Sequence, residues 1–190
     1  MRLSSRWEGV VLTLHLLALT LAIGPMAFFA FAVAPALFHV LTRDMAAELT
    51  APILTRACWL AEGSFVVLFL TGWLLASGRD VSRLSRSLLT RAAILGVITS
   101  LVVEKLLIPP MEKIRQEAPG LIDNLPASDP SRMLLARYHR LATGFFAADL
   151  AVALLVLLVT ARLLTRRAAA PLAPSAARPP IPKLLDLSDV

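Results

Sequence analysis

The sequence predicts an all-α integral membrane protein built as a four-helix bundle, and three observations carry this prediction. Four long apolar stretches alternate with shorter charged segments along the chain. Each stretch is long enough to supply the ~20 helical residues that cross about 30 Å of hydrocarbon. In addition, 57% of the 190 residues are hydrophobic and only 17% are charged, a balance that a soluble core does not require.

The apolar stretches define the predicted membrane spans, which cover residues 9–41, 57–78, 88–108 and 141–161. Residues 1–167 therefore form the predicted four-helix membrane domain. The connection between the third and fourth spans is expected to contain a short interfacial helix followed by turns. Residues 168–190 are rich in Ala and Pro and lack a helical period through Pro182, which predicts a cytoplasmic tail that is disordered when alone.

The first apolar stretch follows Arg2 and Arg6, an arrangement that also occurs in secretory signal peptides. The apolar run continues to Leu41, which is too long for the apolar region of a signal peptide. We therefore interpret it as an uncleaved first span.

The placement of Lys and Arg predicts the orientation of the bundle. Four spans put the N-terminus, the second connection and the tail on one side of the membrane. The charges of the short connections discriminate best between the two possible orientations. The second connection is flanked by Arg79, Arg83, Arg86 and Arg91, and the first by Arg43 and Arg56. Both termini are thus expected in the cytoplasm, in a multi-pass protein of the cell inner (plasma) membrane.

The net charge of +6 would suggest a nucleic-acid partner in a soluble protein. Here most Lys and Arg flank spans, where they anchor helices, so the expected partner is the lipid bilayer and no nucleic acid. Cys58 is the only cysteine of the sequence, which excludes an internal disulfide.

Two groups of residues carry a family resemblance. The first group is His15-Leu16-Leu17, Gly24, Met26, Pro35-Ala36-Leu37-Phe38 and Leu41-Thr42-Arg43. The second is Pro110, Arg115 and Arg137-Tyr138-His139-Arg140-Leu141. Over roughly residues 10 to 165 these motifs resemble those of the transmembrane protein 205-like family. The resemblance implies a four-helix membrane bundle, and it implies no settled biochemical activity.

Ionisable residues inside the spans are the candidates for chemistry, because each is costly in hydrocarbon unless it is paired or hydrated. Asp149 lies near the middle of the fourth span, while Glu62 and Glu104 lie inside the outer ends of the second and third. Three carboxyls in one half of the bundle can bind a cation, pass protons or hold one proton between like charges.

A purely structural role is the alternative for the same three carboxyls. Asp149 would then hydrogen-bond to Thr143, Ser64 or a backbone carbonyl. Glu62 and Glu104 would reach towards the headgroups or pair with Lys105.

The three histidines suggest different roles. His15 is inside the first span and is expected to hydrogen-bond across helices, which also makes it a ligand candidate. His39 and His139 both lie at the outer boundary, where they are either metal ligands or simply solvated. Haem needs its axial ligands at one depth, and His15 and His139 lie at different depths. No cofactor or metal is therefore expected.

The expected function is that of a non-enzymatic accessory or scaffolding subunit that packs against a larger membrane complex. The apolar end of the tail supplies candidate partner-binding residues, which are Ile181, Leu184, Leu185 and Leu187. The alternative is a small transport or cation- or proton-binding protein that uses the carboxyls, alone or as a homo-oligomer. A haem-bearing redox subunit is a third alternative.

Overall fold

The computed structural model describes residues 5–77 and 82–169, and within these ranges it contains four long helices, one short 3-10 turn and no strand. All four long helices contain an apolar window long enough to cross a membrane. The predicted all-α four-helix membrane bundle is therefore confirmed, and the chain is a multi-pass membrane protein.

Two of the four helices include a π-helical turn. Helix α1 begins as Ser5–Phe28, passes through the π turn Phe29–Val33 and ends as Ala34–Val40. Helix α2 is Arg43–Ala76. Helix α3 begins as Arg83–Leu101, passes through the π turn Val102–Leu107 and ends as Ile108–Glu117. Helix α4 is Pro130–Ala169, and the 3-10 turn Ile122–Asn124 precedes it.

Helices α2, α3 and α4 all extend beyond the predicted spans at the same end of the bundle. We call it the extended end; it holds the α1–α2 join and the α3–α4 connection, and the opposite end is the termini end. The helix predicted after the third span is a continuation of α3. The partner-binding residues that the sequence predicts in the tail lie outside the described residues. These predicted residues are Ile181, Leu184, Leu185 and Leu187.

Each π turn is followed, after one residue, by a proline. Pro35 is the second residue of the segment that follows the turn in α1, and Pro109 and Pro110 are the second and third residues of the segment that follows the turn in α3. Proline has no N–H to donate to the carbonyl one turn earlier, so the regular ladder is interrupted there. A π turn is one way in which a helix absorbs that interruption without ending. Pro25, in contrast, lies inside a regular part of α1.

Side-chain caps mark three of the helix starts. Thr42 accepts a hydrogen bond from the N–H of Met45 at 3.5 Å, and Ser82 accepts one from the N–H of Ser85 at 3.1 Å. Asp129 accepts one from the N–H of Ser131 at 2.8 Å, directly before Pro130. These contacts satisfy backbone donors that have no partner inside the helix. Asp129 and Pro130 are thus the N-cap and the first residue of α4.

The bundle has an up-and-down order, in which each helix packs against its neighbour in the sequence and α4 closes the ring against α1. Two apolar clusters fill its interior. The larger lies towards the termini end and includes Leu19, Phe65, Leu68 and Val156. The smaller lies towards the extended end and includes Cys58, Val103, Leu107 and Ala142. The ionisable residues of the interior lie between these clusters and beside them.

Candidate functional site

A pair of glutamates forms the centre of the candidate site. Glu62 on α2 and Glu104 in the π turn of α3 lie within hydrogen-bonding reach of each other. Glu62 Oε1 and Glu104 Oε2 are both buried and have no hydrogen-bond donor among the described residues. Two carboxylates cannot donate to each other, but a carboxylic acid beside a carboxylate can. A single shared proton would therefore supply the donor that this pair lacks.

Lys105 and Trp59 complete the surroundings of Glu104. The ammonium of Lys105 lies 2.5 Å from Glu104 Oε1, and the indole N–H of Trp59 donates to the same oxygen at 2.7 Å. Lys105 is 63% exposed at its side chain, whereas the Glu104 side chain is 6% exposed. One oxygen of Glu104 is thus held by two donors at the bundle surface, and the other faces inwards without one. The predicted pairing of Glu104 with Lys105 is present in the structure.

Asp149 occupies a separate, fully interior position on α4, where it is 1% exposed. Thr99 and Ser100 of α3 contact its two carboxyl oxygens, and the Ser100 hydroxyl donates to Oδ2 at 2.9 Å. Two of the partners proposed from the sequence, Ser64 and Thr143, are not those of Asp149. The Ser64 and Thr143 hydroxyls instead donate to backbone carbonyls one turn earlier in their own helices.

The contacts of Thr99 permit two protonation states of Asp149. The Thr99 hydroxyl has one hydrogen, and it lies both 2.8 Å from the carbonyl of Leu95 and in contact with Asp149 Oδ1. If Thr99 donates to Asp149, the carboxylate is satisfied. If Thr99 donates to Leu95, a protonated Asp149 can donate to Thr99 instead. The same contacts therefore accommodate the acid and its conjugate base.

The three carboxyls do not converge on one ion. No group of three or more His, Cys, Asp or Glu side chains in residues 5–77 and 82–169 is placed to hold a metal ion. Glu62 and Glu104 form one unit, while Asp149 lies close enough to influence Glu62 and the Cys58 thiol electrostatically. The arrangement favours proton chemistry over coordination of a metal by all three carboxyls.

His15 forms a second interior polar site, nearer the termini end. Its Nδ1 lies 2.8 Å from the hydroxyl of Thr71 on α2, and its Nε2 lies 3.0 Å from the hydroxyl of Thr160 on α4. The Thr71 hydroxyl also lies 2.6 Å from the carbonyl of Val67, to which it can donate. When Thr71 donates to Val67, its oxygen can accept a hydrogen bond from Nδ1–H of His15. The Nε2 atom of this neutral tautomer then accepts a hydrogen bond from the Thr160 hydroxyl. The predicted hydrogen bonds across helices are thus present, and His15 connects α1 to α2 and α4.

Replacing His15 by leucine is expected to lower the free energy of unfolding by about 1–2 kcal/mol, because hydrogen bonds between membrane helices contribute on average about 0.6 kcal/mol each. The measurement is a denaturing-detergent titration in mixed micelles. His39→Leu is the matched control, since His39 is exposed and should change stability by less than about 0.5 kcal/mol. Equal effects of the two substitutions would contradict a bridging role for His15.

The other two histidines lie at the extended end. His39 is exposed near the end of α1, and His139 is exposed on α4. His139 lines a cavity of about 350 Å³ together with Arg115 of α3. His39 is not among the residues that line this cavity.

Several residues that contact the carboxyls were not predicted from the sequence. Trp59, Thr99 and Ser100 supply hydrogen bonds to Glu104 and Asp149, yet none was a candidate. The signal available was the pair Thr99-Ser100, two adjacent hydroxyl residues inside an apolar stretch, about one turn before Glu104. Polar residues inside a span are expected to find partners on other helices.

These features define a class: a multi-pass four-helix membrane protein that has carboxyl groups in the interior of the bundle. A protein-family model described as a domain of unknown function (DUF4149) matches residues 17–119, which is more than half of the chain. The chain belongs to this family. The matched region includes Glu62, Glu104 and most of the helices α1 to α3, and it excludes His15 and Asp149.

No curated protein and no solved structure matched the chain in the other two comparisons. The resemblance to the transmembrane protein 205-like family has no support from a named homologue and depends on the sequence motifs alone.

Proposed function

We propose that the protein is a small proton-binding membrane protein, in which the Glu62–Glu104 pair takes up and releases one proton as part of a transport activity. The observation that carries the proposal is the pair of buried carboxyl oxygens without a donor, one on each glutamate. Buried polar groups in folded proteins nearly always have a partner, so such a pair points to a proton or a ligand that completes it.

Charge balance supports a proton at this position. Two ionised glutamates beside the ammonium of Lys105 would leave one net negative charge at this position in the bundle. One shared proton leaves a carboxylate and an ammonium, whose charges cancel. Net charge inside hydrocarbon is costly, so the proton-bound state is the one that the surroundings favour. Loss of the proton would unbalance the contacts between α2 and α3.

Asp149 is the second proton-carrying group in this proposal. It lies near enough to Glu62 for the charge on one group to affect the other. Its hydroxyl partners fit both the carboxylic acid and the carboxylate, as the contacts of Thr99 show. A proton leaving Glu62 therefore changes the electric field at Asp149, which makes Asp149 the candidate for the next proton-carrying group.

The apolar cluster on the termini side argues against an open proton channel. Phe65, Leu68 and Val156 are each almost completely buried, and they belong to the cluster towards the termini end, on the His15 side of the carboxyls. Protons would then exchange with the extended end, and transfer to the other side would need helices to move. The proposal is accordingly one of proton binding coupled to a conformational change.

Substituting Glu104 by glutamine is expected to slow proton flux into proteoliposomes at least about tenfold, as removal of a proton-transfer group costs roughly 10²–10⁴-fold in catalysis. Glu62→Gln should act in the same direction, and Asp149→Asn should reduce flux while folding persists. A pH-sensitive dye inside the vesicles measures the flux. Glu117→Gln is the control, because Glu117 is exposed at the end of α3.

Infrared difference spectroscopy gives a second readout that does not depend on transport. A pH step applied to the wild type should change a carbonyl stretching band of a protonated carboxyl, and Glu104→Gln should remove or shift it. If the pH step changes no carboxyl band that depends on Glu62 or Glu104, the proposal is wrong. A wild type that shows the band but no flux would support binding and contradict transport.

An accessory or scaffolding role within a larger membrane complex is our second proposal. It is favoured by Lys105 and Trp59, which are 63% and 57% exposed on the outside of the bundle beside buried Glu104. A helix of a partner or of a second copy would cover these groups. Native mass measurement after gentle detergent extraction distinguishes the two proposals, since a stoichiometric larger partner favours the accessory role.

The remaining parts of the proposal come from the sequence. The arginines that flank the second connection favour cytoplasmic termini and a place in the cell inner (plasma) membrane. The transmembrane protein 205-like resemblance, the absence of enzymatic activity and the cytoplasmic position of the tail 168–190 are proposals of the same kind.

A further inference from the structure

We propose that the cavity at the extended end binds an anionic phospholipid, with the headgroup phosphate at Arg115 and an acyl chain against the aromatic wall. The cavity measures about 350 Å³ and is lined by residues of all four helices. It is separate from the carboxyl site, because none of the residues that line it is Glu62, Glu104 or Asp149.

The position of the cavity matches the headgroup layer. Its lining residues on α2 precede the predicted start of that span at 57, and those on α3 begin at Ile108, where the predicted third span ends. On α4 the lining begins at His139, just before the predicted start at 141. A site at this depth meets phospholipids with the phosphate and the first part of the acyl chain.

The walls of the cavity are divided by polarity. Phe29 and Phe38 of α1, Ile108 of α3 and Phe146 of α4 provide apolar surface. Phe29 and Phe146 also pack edge to face, with their ring centroids 5.8 Å apart. Phe38 is 42% exposed, which puts one edge of this wall at the bundle surface. An acyl chain can therefore lie against these side chains while its glycerol end remains at the rim.

Arg115 supplies the polar end of the cavity. Its side chain is only 19% exposed, and its Nε is buried without a hydrogen-bond acceptor among the described residues. The nearest carboxylate, Glu112, lies 3.9 Å from Nη1 and is 48% exposed, and it also accepts a bond from Gln116 at 3.3 Å. Guanidinium groups hold phosphate through paired N–H donors, and Arg115 has an N–H to spare.

Both π turns lie next to the cavity. Pro35 and Ile108 line it, and each belongs to the helical segment that directly follows a π turn. The segment Ala34–Val40 packs chiefly against its own π turn and the start of α2. A bulged helix is turned relative to its regular course. The cavity therefore lies where α1 and α3 depart from regular α-helical geometry.

Lipid binding is tested by native mass spectrometry of the purified protein in detergent, with phosphatidylglycerol or diacylglycerol added at equal concentration. The wild type is expected to retain one phosphatidylglycerol and to bind diacylglycerol, which has the acyl chains but no phosphate, at least about tenfold more weakly, because a hydrogen bond to a charged group is worth roughly 1.5–3 kcal/mol. Arg115→Gln should weaken phosphatidylglycerol binding by a similar factor, and Arg115→Lys by less. Inorganic phosphate at the same concentration should not compete.

Two further variants separate loss of the site from loss of the fold. Ala51→Phe places a ring in the cavity while Arg115 is retained, and it should also weaken binding. Arg137→Gln removes a positive charge from an exposed position of α4 that does not line the cavity, and it should bind as the wild type does. Equal retention of both lipids, unchanged binding by Arg115→Gln, or full competition by inorganic phosphate would each overturn the proposal.

Discussion

Replacing Phe65 by alanine is expected to lower the free energy of unfolding by about 3 kcal/mol, the largest effect of any single substitution considered. Phe65 is fully buried in the termini-side cluster of the bundle. In soluble cores a Phe→Ala change costs about 3–5 kcal/mol, which includes transfer of the side chain from water. In a membrane the unfolded reference is already in lipid, so the lower end of that range, which represents lost packing, applies.

The control for this prediction is Phe28→Ala on α1. Phe28 is 66% exposed on the outside of the bundle, so lipid replaces the ring that is removed. Its effect should be within about 0.5 kcal/mol in the same mixed-micelle titration. If Phe28→Ala and Phe65→Ala destabilise equally, packing inside the bundle is not what holds the helices together.

Much of the fold could be predicted from the sequence, because hydrocarbon imposes its own requirement on the backbone. Every backbone polar group in a span must be satisfied within the segment, so an apolar run of the right length becomes a helix. The helices reach past the predicted spans at the extended end, where α2 begins at Arg43 and α4 at Pro130. There the sequence is amphipathic or polar, and hydropathy does not mark the end of a helix.

The candidate site was only partly predictable. Glu62, Glu104 and Asp149 stood out because each is ionisable inside an apolar stretch. Their partners depend on which faces of the helices meet, and the four spans carry too little periodicity to fix this. The π turn at Val102–Leu107 also changes the face that Glu104 presents relative to Thr99 and Ser100. Regular α-helix geometry therefore does not predict how residues before such a turn are oriented relative to residues after it.

The lipid-binding cavity was not predictable for a related reason. Arg115 and His139 are separated by the α3–α4 connection, and each looks like an ordinary basic residue at a membrane boundary. In the structure they line one cavity with Phe29 and Phe146, beside the π turns of α1 and α3. The prolines are visible in the sequence, but the course that the helices take after them is not.

The contact between Gly96 of α3 and Phe65 of α2 predicts a second large loss of stability on substitution. A Cβ atom at Gly96 would lie 2.5 Å from two carbons of the Phe65 ring, closer than atoms can approach. Gly96→Val is therefore expected to cost about 2–3 kcal/mol by overpacking, although valine is the better helix former. At Gly144 of α4 a Cβ meets nothing within 4 Å, so Gly144→Val should be nearly neutral.

Combining Gly96→Val with Phe65→Leu tests whether this one contact is responsible for the cost. Leucine lacks the ring atoms that approach Gly96, so valine should be tolerated better in its presence. The double variant is expected to be more stable than the sum of the single effects by at least about 1 kcal/mol, a coupling typical of residues in contact. Effects that add to within about 0.5 kcal/mol would mean that α2 and α3 do not meet at this point. Because the same two helices carry Glu62 and Glu104, such a result would also remove the basis for the proposed proton site.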